Sequence, residues 1–336
     1  MFRLVRAALL AALLSLLLIA LSACGAAASQ PSTVNYVKSQ EALSHKTKAT
    51  QFVERQLFLA NALGLLVPRT VALPESRSPV KQVLSYLVAD GPVSDVLPNG
   101  FQATLPAGTE IESAAIDADG ALTVNCSKDL LTASAPDVAI QSIVWTATQF
   151  RAVKSVTLRA GGKTLSEWPK TGEMIGTGLT RGMGINQSFA DVADAAVSEP
   201  LTVYYLYVDK GKSYEVPVTV RVQGQKSDIM TAVNTLIHEP AGSDFISPIS
   251  AGAALIDRPT VKDGVVYLHF NKAFYEDASA GTVSDEALRA LVLTLTGQHG
   301  IDKIAVKVGR SATLTLESGK TISGPVSRTT MGVTGL

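Results

Sequence analysis

The sequence carries one pattern twice, with matching residues about 148 positions apart. The matched positions are Val144, Thr146 and Thr148 in the first copy, and Val292, Thr294 and Thr296 in the second. Self-similarity at a fixed period is typical of a repeated structural unit. Other matching segments are 144 to 149 positions apart, which indicates short insertions and deletions in loops. The chain is therefore predicted to contain two similar domains of roughly 110–130 residues each.

Each copy also contains two amphipathic helical patterns. Residues Val80–Val88 place apolar side chains at positions i, i+3, i+4, i+7 and i+8, and Ile229–Ile237 has a similar pattern. This spacing is typical of a helix with one buried face. The second pattern covers Ile140–Ala147 and recurs at Leu288–Leu295. Two helices are therefore predicted in each domain.

Segments of alternating polarity surround these helices. Ala121–Cys126 and Val265–Phe270 each follow an Asp-Gly pair, which is a strong signal for a tight hairpin. With the other alternating segments, each copy reads β-β-α-β-β-α-β, with an extra terminal hairpin as an option. Two helices cannot cover both faces of such a sheet. We therefore predict an α+β protein made of two tandem two-layer sandwich domains, with the helices on one face of a mixed sheet.

The N-terminus resembles the export signal of a bacterial lipoprotein. Arg3 and Arg6 precede the apolar run Ala7–Ala20, which is shorter than a membrane span. The run ends in Leu21-Ser22-Ala23-Cys24, which is similar to a lipobox. The resemblance implies that the thiol of Cys24 takes a diacylglycerol and that the signal is cut just before it, between Ala23 and Cys24, which leaves a membrane anchor with palmitate chains on Cys24. The alternative is a free cysteine after an ordinary signal or anchor.

Composition divides the chain into six segments. The stretch after Cys24 is small and polar, as expected of a tether, and the mature protein is expected on the extracytoplasmic face of the cell membrane. Five glycines between Gly172 and Gly184 indicate a linker between the copies. The predicted boundaries are 1–23 for the signal peptide, 24–54 for the tether and N-terminal segment, 55–166 for the first domain, 167–200 for the Gly-rich linker, 201–324 for the second domain and 325–336 for the C-terminal tail.

Charge and motifs exclude several classes of function. Lys and Arg number 29, as do Asp and Glu, so the basic excess typical of a nucleic-acid binder is absent. The sequence lacks metalloprotease, nucleophile-elbow and phosphate-loop motifs. The four histidines fall on different predicted elements, and Cys126 matches Phe270 in the second copy, which predicts a buried apolar position. We predict no catalytic residue, no metal site, no cofactor and no nucleic-acid partner.

In its order of motifs, the sequence resembles the GerM family of sporulation and germination proteins over about Arg55–Gly324. The motifs include Asp-Gly turns, Thr-x-Thr helix ends, Val-Pro strands at Val67-Pro68 and Val216-Pro217, and helices followed by Gly91-Pro92 and Glu239-Pro240. The resemblance implies an envelope lipoprotein that serves sporulation and spore germination as a non-enzymatic scaffold. It also implies a fold similar to the ring-building motif, whose domains pack side to side into oligomers or rings.

Three aromatic residues are candidate contacts for a partner. Tyr204 and Tyr205 are consecutive on one predicted strand, so at least one of them points away from the core. Trp145 lies on the second helix of the first copy, either covering the helix–sheet seam or exposed as an anchor. The leading hypothesis is contact with other envelope or sporulation proteins. The alternatives are a module that binds cell-wall glycan or a small ligand near the membrane, and a wall hydrolase, for which no paired acids are recognisable.

Overall fold

The computed structural model describes residues 51–169, 171–172, 174–187, 198–223, 228–240 and 242–332. The predicted signal peptide and Cys24 lie outside the described residues. No helix in the described part of the chain has the length and hydropathy of a membrane span.

Both repeats contain the predicted elements in the predicted order, and each has one additional short strand, Phe101–Gln102 in the first and Thr282–Val283 in the second. The first contains β1 (Phe52–Asn61), β2 (Leu66–Pro74), α1 (Pro79–Ser85), β3 (Phe101–Gln102), β4 (Ile111–Ile116), β5 (Ala121–Cys126), α2 (Pro136–Ala147), β6 (Ser155–Ala160) and β7 (Lys163–Thr164). The second contains β8 (Ser198–Asp209), β9 (Lys212–Gln223), α3 (Ile229–Ile237), β10 (Thr260–Lys262), β11 (Val265–Phe270), β12 (Thr282–Val283), α4 (Asp285–Leu295), β13 (Lys303–Val308), β14 (Leu314–Leu316) and β15 (Thr321–Ile322).

The strands of each repeat form a hairpin and a separate mixed sheet. In the first repeat β1 pairs with β2 and β3, while β4, β5, β6 and β7 form a four-stranded sheet. The second repeat has the hairpin β8–β9, the sheet β10-β11-β13 and a small sheet, β12-β14-β15. Strands β5 and β6 are parallel, as are β11 and β13, because the helices α2 and α4 provide the crossovers that parallel strands require.

The structure has the predicted α+β class but corrects one detail of the layering. The helices do not lie on one face of a single mixed sheet, since α2 contacts β1 of the hairpin and also β6 of the separate sheet. The physical reason is visible in α2, where every residue from Ala139 to Ala147 except Gln141 is buried. A helix that is buried nearly all round needs covering on more than one side. The likeness to a ring-building motif stays a prediction.

The two repeats share one interior. A single cluster of buried apolar side chains includes Leu57 and Leu122 from the first repeat and Val203 and Leu291 from the second. Strand β2 contacts β9, and the guanidinium of Arg69 lies 5.0 Å from the ring centroid of Phe101 and 5.3 Å from that of Tyr214. The repeats are therefore packed against each other through apolar and aromatic surface.

Candidate functional site between the repeats

An arginine from the predicted linker closes the end of helix α2. Arg181 donates from Nε to the hydroxyl of Thr148 over 2.9 Å and from Nη2 to the carbonyl of Trp145 over 3.2 Å. Thr148 itself donates to the carbonyl of Val144 over 2.7 Å. The last carbonyls of a helix have no partner within the helix, and a cation is favourable there. Arg181 therefore stabilises the carboxyl end of α2.

The second repeat contains the same arrangement at the end of α4. Arg328 donates from Nε to the hydroxyl of Thr296 over 2.8 Å and from Nη2 to the carbonyl of Leu293 over 2.8 Å. Thr296 and Leu293 lie 148 positions after Thr148 and Trp145. The predicted linker and tail thus contribute equivalent arginines to the two repeats.

Each arginine is positioned by a short segment that pairs with the last long strand of its repeat. Leu179 exchanges two backbone hydrogen bonds with Val156 of β6, and Val326 does so with Ile304 of β13. The boundaries 55–166 and 201–324 stay predictions, and these pairings show that residues beyond both boundaries pack on the repeats.

The first threonine of each Thr-x-Thr pair has a different function from the second. Thr146 accepts a hydrogen bond from the backbone nitrogen of Phe58 over 3.1 Å, and Thr294 accepts one from Tyr204 over 3.0 Å. The first hydroxyl therefore ties the helix to the hairpin, and the second receives the arginine. The Thr-x-Thr pair, one of the motifs behind the family resemblance, therefore holds the helix to the hairpin and to the arginine.

A cavity of about 600 Å³ lies where the two helix ends meet, and both repeats contribute to its lining. The lining side chains that matter chemically are Trp145, Arg181, Tyr204, Gln298, His299 and Arg328. Its volume falls within the range of roughly 300–1,000 Å³ that ligand pockets occupy. Because Trp145 and Leu293 occupy equivalent positions, as do Arg181 and Arg328, the cavity is built by the duplication.

The cavity is rich in cationic and donor groups. Arg328 is 5% exposed and Arg181 is partly buried. Burial lowers the pKa of Arg181 to about 10, an effect that Tyr204 opposes and the charge of Arg328 adds to. The guanidinium group of Arg181 is still protonated at neutral pH. Among the described residues, no ion pair joins either cavity arginine to a carboxylate.

Aromatic rings cover the faces of these cations. The guanidinium carbon of Arg181 lies 4.5 Å from the ring centroid of Trp145, and that of Arg328 lies 5.9 Å from the ring of Tyr204. Such contacts are favourable electrostatically and leave the N–H groups at the guanidinium edge for hydrogen bonds.

One asparagine joins the two repeats. Asn186 donates from Nδ2 to the carbonyls of Leu66 over 2.8 Å and Pro217 over 2.9 Å, and its Oδ1 accepts from the nitrogen of Leu66. Its φ of 45° lies in the left-handed region that asparagine tolerates better than most residues. Asn186 therefore links β2 of the first repeat directly to β9 of the second.

The three aromatic candidates for partner contacts lie in the interior. The expectation that at least one of the two tyrosines points away from the core was wrong, and Trp145 takes the buried one of its two alternatives. Tyr204, Tyr205 and Trp145 are 3%, 1% and 2% exposed. Tyr205 donates its hydroxyl proton towards the carbonyls of Thr235 and His238 at the end of α3. Trp145 donates from Nε1 to the carbonyl of Gly184 over 3.2 Å. Other elements bury both faces of β8 at this point, so neither tyrosine lies on the surface although the two point in opposite directions.

The other residues with chemical potential are dispersed. His269 lies between a carboxylate oxygen of Asp257, 2.6 Å from Nδ1, and the carbonyl of Gly309, 2.7 Å from Nε2. Burial raises the pKa of the Cys126 thiol to about 12, and the charge of Glu112 adds to the effect. Among the described residues, no group of three or more His, Cys, Asp or Glu side chains is placed to hold a metal ion. The sequence reasoning missed Arg181 and Arg328, although both precede a Met-Gly pair by a few residues.

Comparison with known proteins agrees with this duplicated architecture. The sequence model of the Germane family, described as "Sporulation and spore germination", matches residues 56–166 and 202–310. The chain belongs to the Germane family. The family is described by a developmental process and not by a catalytic activity, and the chain accordingly has a role in sporulation or spore germination with tandem domains.

A curated relative and a solved structure of the Germane family cover most of the chain. The spore germination protein GerM of Bacillus subtilis is 39% identical over 294 residues, which is 86% of this chain and 80% of that protein. The structure of the tandem GerMN domains of the sporulation protein GerM from Bacillus subtilis matches with a TM-score of 0.76 and 39% identity. It covers 82% of this chain and 97% of the solved chain, which confirms the predicted fold class.

Proposed function

We propose that this protein is a non-enzymatic assembly component of the cell envelope during sporulation and spore germination. A lipid on Cys24 holds it on the extracytoplasmic face of the membrane, and the tandem repeats contact other envelope proteins there. Membership in a family described by sporulation and germination supports the process. The lipobox-like sequence Leu21-Ser22-Ala23-Cys24 supports the anchor.

The way the repeats are joined suits a scaffold. The shared apolar core and the Asn186 bridge fix one repeat against the other. A rigid pair of domains loses little conformational entropy when it binds, which favours ordered assembly.

The observation that carries the proposal is an exposed apolar surface on the second repeat. Ile256 is 53% exposed and Tyr267 is 45% exposed. Ile256 donates its backbone N–H to His269, two residues after Tyr267, so both side chains lie on the face of β11 opposite the buried Val266 and Leu268. Tyr267 lines a groove together with the cations Arg258 and Lys307 and the carboxylate of Asp257. This surface fits a protein partner with apolar side chains and an acidic rim.

The surface is tested with the full chain in sporulating cells. Ile256→Ser and Tyr267→Ser are combined, and partners are captured by cross-linking from membranes. We expect the double variant to accumulate normally and to lose the partners that the unaltered chain captures. Met174→Ser is the matched control, because Met174 is 76% exposed outside this surface. Capture of the same partners by all variants would contradict the proposed surface.

The anchor and the absence of catalysis have separate tests. Cys24→Ser should move the protein from the membrane fraction to the medium or the soluble extract, because no thiol remains to carry the lipid. Release of muropeptides from purified cell wall by the pure protein would overturn the non-enzymatic role without affecting the anchor.

A further inference from the structure

We propose that the cavity between the repeats binds an oxyanion, a carboxylate or phosphate group of a small ligand, between Arg181 and Arg328. This binding site is independent of the apolar surface on the second repeat. The cavity has a volume of about 600 Å³, which is large enough for a ligand that carries more than the anionic group.

The first argument is the count of donors and acceptors. Each guanidinium uses Nε and Nη2 for its own helix end, and among the described residues no hydrogen bond is recorded from either Nη1. The side-chain nitrogen of Gln298 is buried, and the described residues give it no hydrogen-bond partner. Gln298 lines the same cavity. A buried donor without a partner is costly, and this cost applies to the nitrogen of Gln298. The two Nη1 groups remain available to donate to the oxygens of a ligand.

The second argument is charge. Two cations line one cavity, and the described residues supply no carboxylate to either of them. Burying unpaired like charges is unfavourable, and a bound anion relieves both the desolvation and the repulsion. The planar guanidinium fork matches carboxylate and phosphate oxygens better than it matches chloride.

The helix-end bonds do not account for the whole arrangement. They explain why each arginine is held at its repeat, but not why both arginines face one cavity with an unpartnered amide between the repeats. The site takes one arginine from each copy, so a single repeat would not form it. Binding of the anion is therefore expected to stabilise the packing of the two repeats.

The test measures binding and thermal stability of the full chain in detergent, with inorganic phosphate and succinate as probes and sodium chloride at matched ionic strength as reference. Stabilisation by phosphate alone identifies a phosphate ligand, and stabilisation by succinate alone identifies a carboxylate ligand. Either result, or both together, supports the site. Equal melting temperatures in all three salts would overturn it.

A matched pair of variants separates the cavity from general salt effects. Gln298→Glu places a carboxylate beside the arginines, and it should raise the melting temperature in chloride and weaken phosphate or succinate binding about tenfold or more. Gln102→Glu adds the same charge at an exposed position on β3 and should leave binding unchanged. Equal anion binding by both variants would also overturn the proposal. Arg328→Lys keeps the charge but removes the planar guanidinium fork. This variant should still fold, and it should bind the anion more weakly than the unaltered chain does.

Discussion

Arg328 donates to the hydroxyl of Thr296 over 2.8 Å, and this contact repeats the one that Arg181 makes with Thr148 over 2.9 Å. Both arginines come from segments outside the predicted domain boundaries, Arg181 from the predicted linker and Arg328 from the predicted C-terminal tail. In both, a side chain that follows the last long strand returns to close the second helix. The duplication therefore extends to the segments around Arg181 and Arg328, and it is this extension that brings two arginines to one cavity.

Removal of the threonine hydroxyl should destabilise the second repeat. Thr296→Val keeps the volume of the side chain but takes away the acceptor for the Nε of Arg328, which is 5% exposed. We expect a loss of about 1–3 kcal/mol in the free energy of unfolding, because a buried donor is left unpaired. Chemical denaturation measures it. Thr132→Val is the control, since Thr132 is exposed, and it should change stability by less than about 0.5 kcal/mol.

Asn186 should control the connection between the repeats. Asn186→Ala removes the hydrogen bonds to Leu66 and Pro217 and also places alanine at a φ of 45°. Asn186→Gly removes the same bonds but tolerates this φ. We expect both variants to lose about 1–3 kcal/mol of stability, with alanine the worse. Denaturation compares the three proteins, and a glycine variant as stable as the unaltered chain would show that the bridge is not needed.

Local elements were predictable from the sequence where a strong period coincided with a turn signal. Strands β5 and β11 have the predicted bounds, because alternation and the preceding Asp-Gly turns determine them locally. The separation of the hairpins from the mixed sheets was not predictable, because pairing partners of strands depend on packing that alternation does not encode. The burial of both Tyr204 and Tyr205 was missed for the same reason, whereas burial was one of the two alternatives for Trp145.

The cavity arginines illustrate the limit of motif reading. Arg181 and Arg328 are 147 positions apart, and each lies in a segment that ends in Met-Gly, at Met183-Gly184 and Met331-Gly332. The repeated arginine followed by Met-Gly was visible in the sequence, but it is short and lies in segments that were predicted to be the linker and the C-terminal tail. The meeting of the two arginines depends on how the repeats pack, which no single-repeat pattern specifies.

The capping residue at the amino end of helix α3 should make the free energy of unfolding depend on pH in the acid range. A carboxylate oxygen of Asp228 accepts from the backbone nitrogen of Thr231 over 2.7 Å, and this hydrogen bond holds the pKa of Asp228 below its usual 3.8. A carboxyl whose pKa is lower in the folded state stabilises the fold above its unfolded pKa and loses this effect as the pH falls. Asp228→Ala should cost about 0.5–2 kcal/mol at pH 7 and progressively less below about pH 4. Asp228→Asn keeps a capping oxygen and should remove the pH dependence while retaining much of the stability; denaturation at several pH values distinguishes these outcomes.

Cys126 should be unreactive in the folded protein. Its side chain is 0% exposed in the core, and burial raises the pKa of the thiol from 9.0 to about 12. Because the thiolate is the nucleophile, a maleimide at pH 8 should label Cys126 only after denaturation. The raised pKa also means that unfolding releases a proton at high pH, so the contribution of this thiol to stability falls as the pH rises from about 9 towards 12. Cys126→Val removes this group while keeping an apolar side chain, and stability curves of the two proteins between pH 8 and pH 11 should diverge with the unaltered chain falling faster. Rapid labelling of the native protein would contradict the burial of the thiol and restore Cys126 as a candidate nucleophile.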